Sequence, residues 1–225
     1  MNQRETILET REVRDFDHVI LRGDLCSAEL IIEQGEGESL TIEAEPQVMP
    51  RIETVVRERK LVIRLGGTWL ERLADRLANA FEEPKLVLRL QLRELRSLDM
   101  GCIQHVHATS IETDSLRIHQ SGAGRLVIES LSAQDLGVVQ SGAGLLEIAG
   151  QVQKQRVRSS GVGRYAASQL KSERTEVRVT GSSTARVHAN GSLEAVVTGV
   201  GYVEYGGNPQ VRTKITGAGS VVRRG

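Results

Sequence analysis

The sequence predicts an all-β fold, a parallel β-helix with about 18–20 residues per coil. Three observations lead to this prediction. A tetrapeptide of Ser or Thr, Gly, any residue and Gly recurs through the second half of the chain, apolar residues alternate with polar ones around it, and no helical period of 3.6 residues occurs there. A β-propeller fits poorly, because its repeats have about 40 residues or more.

The tetrapeptide marks one corner of each coil. Its copies begin at Ser121, Ser141, Ser160, Thr180, Thr198 and Thr216, and the fourth copy is degenerate. The intervals between these residues are 20, 19, 20, 18 and 18. Glycine reaches positive φ without steric cost, and a neighbouring hydroxyl can hold a turn. We therefore expect a Gly142→Val substitution to lower the free energy of unfolding by about 1–3 kcal/mol, because the corner would require a positive φ.

Apolar residues on either side of the corner predict inward-facing files, in which equivalent residues of successive coils stack about 4.8 Å apart. The files are Leu126, Leu146, Tyr165, Ala185, Val203 and Val221; then Ile128, Ile148, Ala167, Val187 and Tyr205, where Arg223 breaks the series; then Ile118, Val138, Val157, Val177, Ala195 and Thr213. A further inward position is expected for Leu131, Val152 and Leu170.

Polar residues at the corners also recur from coil to coil. Gln120 and Gln140 precede two of the corners and predict a short amide ladder with a structural role. The row of corner hydroxyls is interpreted as structural too, because stacked Ser and Thr satisfy backbone groups. The alternative is a surface that binds ice, sugar or a flat mineral.

Residues 1–98 are expected to form an N-terminal β region, either the first coils or a cap of the solenoid, ahead of the repeats at 99–225. Apolar runs predict strands at residues 19–21, 28–32, 40–42, 61–65 and 86–92. The second and third are joined by residues 34–38, either as a hairpin or as a connection between coils.

One amphipathic helix is predicted over residues 68–82. Thr68 and Glu71 have the spacing of a capping box, and Pro84 ends the segment. Helical spacing relates Leu70, Leu73, Leu77 and Phe81. The helix is expected to cover the end or flank of the solenoid, where strand edges would otherwise be unpaired. The alternatives are an oligomer contact and a helix lying on a membrane surface.

The composition limits the possible partners. The 29 basic and 29 acidic side chains cancel, whereas a general nucleic-acid or anionic-membrane binder carries a basic surplus. A local basic cluster at Arg212, Lys214, Arg223 and Arg224 is interpreted as a solvated end face. Aromatic residues amount to only 3%, which argues against a sugar-processing cleft and against a platform for single-stranded nucleic acid.

Cys26 and Cys102 are 76 residues apart and are expected to be small buried apolar residues, without a disulfide framework. The charged N-terminus has no stretch that resembles a signal peptide, and no transmembrane run of about 18 apolar residues occurs. The sequence as written therefore predicts a cytoplasmic protein. The alternative is a periplasmic or cell-envelope protein from which a signal has been removed.

No catalytic residue, cofactor or metal site is predicted. His105 and His107 could bind a metal with Cys102 or His119, but we interpret them as solvent-facing or hydrogen-bonded, because a metal site requires three or four converging ligands. The recurring Gly-x-Gly lacks the third glycine and the helix of a dinucleotide site.

Carboxylates that stack across coils would indicate a polysaccharide-cleaving β-helix enzyme. Two columns were candidates for such a stack. Glu129 is expected one coil from Ala149, and Asp135 one coil from Gln155, so neither column contains a second carboxylate.

The repeats, together with Leu193-Glu194-Ala195 and the ending Tyr205-Gly206-Gly207-Asn208-Pro209, resemble the bacterial auto-transporter adhesin, head GIN domain family. Phe16-Asp17-His18-Val19 and Leu61-Val62-Ile63 lie where that family usually starts. The resemblance covers most of the chain and implies a right-handed β-helix-like fold on exported or envelope proteins of undefined function. It implies no catalytic or binding residues. The chain departs from the family in lacking a visible export signal and in inserting the predicted helix.

The favoured function is a non-enzymatic binding or structural scaffold of the adhesin-head type. Its partner would be an unknown protein or cell-surface polymer, and no nucleic acid is expected. The first alternative is a cytosolic scaffold that self-assembles end to end as a homo-oligomer through the strand edges of its terminal coils. A carbohydrate-active enzyme is the least favoured, because the carboxylate columns are mixed.

Overall fold

A computed structural model describes residues 5–66 and 86–224, apart from the side chain of Cys102. These residues form a parallel β-solenoid of about six turns, which confirms the predicted all-β solenoid. The one helical element among them is a 3-10 turn at Met49–Arg51. The helix predicted over residues 68–82 lies outside the described residues. The right-handed winding and the domain boundary between residues 98 and 99 stay predictions.

The described strands belong to one 14-stranded sheet in the order β1-β3-β6-β2-β7-β8-β9-β10-β11-β12-β14, with β13 beside β11, β5 beside β2 and β4 beside β5. Their bounds are β1 Ile7–Glu12, β2 His18–Gln34, β3 Ser39–Ala44, β4 Ile52–Arg57, β5 Lys60–Leu65, β6 Leu86–Leu92, β7 Ser97–Gln120, β8 Gly124–Gln140, β9 Gly144–Ser159, β10 Arg164–Val179, β11 Thr184–Gly199, β12 Tyr202–Gly206, β13 Gln210–Gly217 and β14 Ser220–Arg223.

The parallel register confirms the predicted length of a coil. Gly124 pairs with Gly144, so that coil takes 20 residues. Ser192 pairs with Gln210, so the coil has shortened to 18 residues near the C-terminal end. Alternate residues point inward along much of the strands between β2 and β12, and one continuous core of aliphatic side chains runs through the solenoid.

The inward files are confirmed except for one. Leu126 pairs with Leu146 and onward through Tyr165, and the file that begins at Ile118 also stays in register. The further file predicted from Leu131, Val152 and Leu170 is wrong, although all three residues are buried. Leu131 and Leu170 both pair with Gly150, whereas Val152 pairs with Ala133 and Ser172. The register also shifts between Ile128 and Leu131, which shortens that coil by one residue.

The corners stack in a single file, as predicted. The backbone amides of the first four corner hydroxyl residues donate to a carbonyl of the preceding coil, as from Ser141 to Gln120 at 2.9 Å and from Thr180 to Ser159 at 2.9 Å. Thr198 and Thr216, at the last two corners, pair with each other in the ladder of β11 and β13. The corner side chains are exposed. The hydroxyl of Ser141 makes only a long contact with the Gln120 carbonyl, at 3.5 Å.

The reason predicted for glycine at position 142 is wrong. Positive φ occurs at other corner glycines, among them Gly124 at 139° and Gly199 at 121°, but not at Gly142. Gly142 is required for space: a Cβ there would lie 2.0 Å from the Gly122 carbonyl oxygen of the preceding coil. The second glycine of the tetrapeptide has a similar task, because a Cβ on Gly144 would lie 2.1 Å from Nε2 of Gln120.

Two polar clusters lie inside the core. The predicted amide ladder is confirmed: Gln120 and Gln140 are fully buried, and Nε2 of Gln140 donates to Oε1 of Gln120 at 2.8 Å. In the second cluster Gln155 donates to the hydroxyl of Ser172 at 2.9 Å and accepts from that of Tyr165 at 3.1 Å. Burial raises the pKa of the Tyr165 hydroxyl. These partners satisfy polar groups that would otherwise be costly to bury.

The N-terminal residues add a coil and then close the solenoid with antiparallel strands. β5 and β6 pair in parallel with β2 on the side opposite to β7. Beyond them β4 pairs antiparallel with β5, and β3 pairs antiparallel with β6. β1 then adds antiparallel to β3. The hairpin considered for residues 34–38 is wrong, because β6 lies between β2 and β3. The first hundred residues thus supply both coils and an end cover.

Substitution at Gly142 tests the corner geometry. We expect Gly142→Ala to lower the free energy of unfolding by about 2–3 kcal/mol, because the new methyl group would force neighbouring coils apart. Gly35→Ala is the matched control, since a Cβ at Gly35 meets no atom within 4 Å. Urea unfolding of both variants measures the difference. Equal stability of the two variants would contradict the steric role of Gly142.

Candidate functional site

The histidines of the first coils contact carboxylates and do not converge. Nε2 of His107 lies 2.9 Å from Oε1 of Glu129, and Nδ1 of His119 lies 3.0 Å from Oδ1 of Asp99. The rings of His105 and His107 are 6.2 Å apart. Within residues 5–66 and 86–224, no group of three His, Cys, Asp or Glu side chains is placed to hold a metal ion.

Asp135 has no carboxylate directly beside it on the adjacent strands, where a glycosidase of this fold could pair two acids, because its neighbours are Ser115 and Lys154. The register expected for Asp135 is wrong by one residue: it pairs with Lys154, whereas Gln155 pairs with Leu136 and is buried. The same register shift that displaced the file at Leu131 explains this difference.

Asp17 is a buried carboxylate with several hydrogen-bonding partners. Its side chain is 3% exposed and accepts hydrogen bonds from Arg59 at 2.7 Å and 3.0 Å, while Nδ1 of His18 lies 2.5 Å from its other oxygen. Its backbone carbonyl accepts from the amide of Arg96 at 2.8 Å. Asp17 therefore links the starts of β2, β5 and β7, and its role is structural.

The surroundings of Asp17 perturb its ionisation. Burial alone would raise the pKa of the Asp17 carboxyl, but the hydrogen bonds and charges of Arg59 and His18 outweigh burial and hold the pKa below its ordinary value of 3.8. A lowered pKa in the folded state means that the ionised carboxylate stabilises the fold.

Cys26 differs from its prediction. It is exposed and disulfide-bonded rather than a buried apolar residue. The other cysteine of the sequence is Cys102, whose backbone pairs with Asp24 on the neighbouring strand. The wide sequence separation of the cysteines concealed this proximity, because the solenoid brings β7 back beside β2 after an excursion of more than sixty residues.

The zero net charge hides a separation of charge along the solenoid. Residues 1–150 contain 17 Lys and Arg against 25 Asp and Glu, whereas residues 151–225 contain 12 against 4. From β7 onward successive coils stack along one axis in chain order, and the described strands before β7 lie at the opposite end of the sheet from β12 and β14. The last coils are therefore strongly basic. Sequence reasoning based on the overall charge missed this polarity, although charge counts by segment could have found it.

Much of this charge lies on one surface, which we call the basic face. It consists of the outward side chains of residues 154–158, 174–178, 192–196 and 210–214, on the neighbouring strands β9, β10, β11 and β13. Its charged members are Lys154, Arg156, Arg158, Arg174, Arg178, Arg212 and Lys214, with Glu176 and Glu194. The basic face therefore has a formal charge of +5.

The acidic residues of the basic face neutralise only part of it. Oε1 of Glu176 lies 2.7 Å from Nζ of Lys154, and this hydrogen bond holds the pKa of Glu176 below its ordinary value against the opposing effect of burial. Arg158 and Arg178 pair directly across neighbouring strands. Both are exposed, and neither forms an ion pair with a described residue.

Two open grooves, each of about 580 Å³, also lie on the described surface. One adjoins Gln34, whose side-chain amide donates to the carbonyls of Arg93 at 2.9 Å and Glu112 at 2.8 Å. Those hydrogen bonds hold neighbouring coils together, so the role of Gln34 is structural. The second, which we call the terminal groove, lies between β11, β12 and the end of β14, beside Tyr205 and Arg223.

The family described as "Putative auto-transporter adhesin, head GIN domain" matches residues 15–209. No curated protein matches the sequence. The described residues contain no helix with the length and apolar character needed to cross a membrane.

Several solved structures share the fold. A putative adhesin from Bacteroides fragilis superimposes with a TM-score of 0.84 at 21% identity, covering 99% of this chain and 98% of that one. A putative lipid binding protein from Parabacteroides distasonis gives a TM-score of 0.75 at 17% identity, with 98% and 97% covered. A putative adhesin from Parabacteroides merdae gives 0.71 at 17% identity, with the same coverage. At these identities the similarity concerns the fold alone.

The Asp17 cluster generates a pH-dependent prediction. Asp17→Asn is expected to lower the free energy of unfolding at pH 7 by about 2 kcal/mol, because hydrogen bonds to a charged group are lost. The stabilisation is present above the ordinary pKa of an aspartate and disappears as the pH falls through the lowered pKa of Asp17. The difference between wild type and variant, measured by urea unfolding, should therefore shrink below about pH 4.

Asp135→Asn is the control for this experiment, because Asp135 is exposed. We expect it to change stability by less than about 0.5 kcal/mol at every pH. A stability difference for Asp17→Asn that stays constant from pH 7 to pH 3 would refute the electrostatic explanation.

Proposed function

Because the chain belongs to the auto-transporter adhesin, head GIN domain family, we propose that it is a non-enzymatic domain that binds an anionic polysaccharide outside the cytoplasm. The observation that carries this proposal is the basic face at the C-terminal end of an otherwise acidic solenoid. The non-enzymatic part of the proposal rests on the family description.

The arrangement of charge on the basic face favours a ligand over a purely structural role. Like charges directly opposite each other on neighbouring strands destabilise a sheet, as Arg158 and Arg178 are expected to do. A bound anion would remove that repulsion. The opposite arrangement occurs elsewhere on the surface, where Arg125 and Glu147 form an ion pair across neighbouring coils.

A polymer suits this surface better than a small anion. The basic side chains of β9 and β10 lie on neighbouring strands about 4.8 Å apart, and those of β13 lie two strands beyond β10, past β11 with its Glu194. One extended chain that crosses these strands can contact several of the basic side chains at once. Each contact is weak because the side chains are exposed, but linked contacts raise the overall affinity. The basic face carries no aromatic residue for stacking bases, which favours a polysaccharide over single-stranded nucleic acid.

The disulfide of Cys26 supports a location outside the cytoplasm. Disulfides persist in oxidising compartments and are rare where glutathione and thioredoxin keep thiols reduced. We therefore favour the periplasm or the cell envelope over the cytoplasm. The alternative of a cytosolic self-assembling scaffold has no support from the family or from the structural relatives, and the possible homo-oligomer stays a prediction.

Binding to a charged polysaccharide and to its neutral form tests the proposed function. We expect polygalacturonate to bind the full chain and its methyl ester to bind at least about tenfold more weakly, because esterification removes the negative charges. Affinity should fall as salt rises from 50 to 200 mM, since ionic contacts release counterions. Isothermal titration calorimetry measures these affinities. Tighter binding of a DNA oligonucleotide, or equal binding of the methyl ester, would reject the proposal.

Charge reversal locates the contact. The double variant Arg158→Glu/Arg178→Glu should lower the affinity for polygalacturonate at least about tenfold. The control Arg22→Glu/Arg57→Glu changes the net charge equally, at two exposed arginines of the first coils. We expect the control to retain its affinity within about twofold. An equal loss in both double variants would mean that overall charge, and not the basic face, determines binding.

The redox state of Cys26 tests the proposed location. In protein isolated from its native cells and alkylated without reduction, the peptide that contains Cys26 should be unmodified, and it should become modified after reduction. Peptide mass spectrometry measures both states, and cell fractionation should find the protein outside the cytoplasm. A freely alkylated Cys26 in a cytosolic fraction would refute the proposed location.

A further inference from the structure

The terminal groove has the size and chemistry of a ligand site. Its volume of about 580 Å³ lies within the usual range for small-molecule pockets. Its wall combines charged, aromatic and hydrogen-bonding side chains from the last coils: Arg186, His188, Tyr205, Asn208, Arg223 and Arg224. None of these residues belongs to the basic face.

The charges around the groove are incompletely compensated. Glu204 is 16% exposed, and its two oxygens lie 3.3 Å from Nε of Arg186 and 3.2 Å from Nη1 of Arg224. Nε of Arg186 is shielded from solvent, and its contact with Glu204 is an ion pair without the geometry of a hydrogen bond. This nitrogen therefore has no hydrogen-bond partner among the described residues. One carboxylate therefore serves two guanidinium groups, and Arg223 adds a third positive charge without a described acidic partner. The excess positive charge of this wall would be balanced by an anionic group on a ligand.

Tyr205 gives the groove an apolar surface as well. In the preceding coil the same inward file holds Val187, which is buried, and in the following coil it holds Arg223. Tyr205 packs partly against the core and also lines the groove. An aromatic ring with one open side packs against the apolar face of a ring-shaped ligand, while its hydroxyl stays available for hydrogen bonding.

The glycines beside Tyr205 keep the groove open. Gly207 has a φ of 87°, and a Cβ there would lie 2.1 Å from the Ala189 carbonyl oxygen, so the turn excludes side chains at this point. A Cβ on Gly206 would lie 3.0 Å from Nδ1 of His188. The His188 ring is oriented by a 3.2 Å contact between its Nε2 and Oδ1 of Asn190. The groove floor thus consists of backbone and a fixed imidazole.

We infer that the terminal groove binds one carboxylated sugar residue, with the carboxylate at Arg223 and Arg224, the pyranose ring against Tyr205 and the hydroxyls near His188 and Asn208. The inference rests on the proposed function, since it names the sugar residue of the polysaccharide that the terminal groove would bind. A lipid tail fits less well, because this open groove offers three guanidinium groups rather than an enclosed apolar cavity.

The test uses the full chain and trigalacturonate, with the trimethyl ester as the neutral ligand. Titration calorimetry should detect binding of trigalacturonate and at least tenfold weaker binding of the ester. Tyr205→Ala and Arg223→Ala should each lower the affinity for trigalacturonate at least tenfold. Tyr205→Phe should retain most of it. Arg223 is exposed, so its variant keeps the test valid if Tyr205→Ala fails to fold.

Matched controls come from the same coils. Tyr202 is 37% exposed on the same strand as Tyr205 but does not line the groove. Arg164 is exposed at the start of β10 and belongs neither to the groove nor to the basic face. Tyr202→Ala and Arg164→Ala should retain the affinity for trigalacturonate within twofold. Equal losses in the control and groove variants would overturn the inference. So would binding of phosphatidylglycerol vesicles that Arg223→Ala abolishes, if trigalacturonate does not bind.

The outcomes separate this inference from the proposed function. Binding of polygalacturonate that Arg158→Glu/Arg178→Glu weakens, combined with unaltered binding by the groove variants, would overturn the inference and leave the basic face as the binding surface. Failure of both polygalacturonate and trigalacturonate to bind the wild-type protein would overturn both.

Discussion

The close stacking of coils is the constraint on which the rest of the structure depends. Hydrogen bonds between neighbouring coils fix their separation at about 4.8 Å. At the corners this separation leaves no room for a Cβ, so the carbonyl oxygen of Gly122 occupies the space that a side chain on Gly142 would need. Gly144 makes room for the amide of Gln120 in the same way. The tetrapeptide therefore recurs because the same steric requirement applies once in each coil.

This origin explains how far the fold could be predicted. The period, the single file of corners and the main inward files follow directly from spacing in the sequence, and the structure confirms them. The pairing of Leu131 with Gly150 could not be predicted, because a local register shift leaves no mark in a simple count of residues. The geometry of Gly142 was also beyond the sequence, since glycine serves both positive φ and close approach, and only the neighbouring coil distinguishes them.

The candidate sites were less predictable, for a different reason. Cys26 and Asp17 depend on β5 and β7 returning to β2, which are contacts between residues far apart in the chain. The basic face depends on alternate residues of four coils sharing one surface. Composition averages over all such positions, so a zero net charge and 3% aromatic residues concealed a charged end that also holds Tyr202 and Tyr205. In a solenoid, charged and aromatic residues counted coil by coil reveal local differences that the composition of the whole chain averages out.

The same stacking explains why the last coils can carry charged and aromatic side chains at inward positions. A residue in the middle of an inward file has a neighbour above and below, so it must be apolar or paired, as Val177 and Gln140 are. β14 pairs with β12 and with no other described strand, so an inward position there has a stacked neighbour on one side only. Arg223 can occupy such a position at little cost because its charge reaches solvent. The terminal coils can therefore accept charged and aromatic residues without disturbing the repeats, and a stable solenoid can present a binding surface that varies independently of its core.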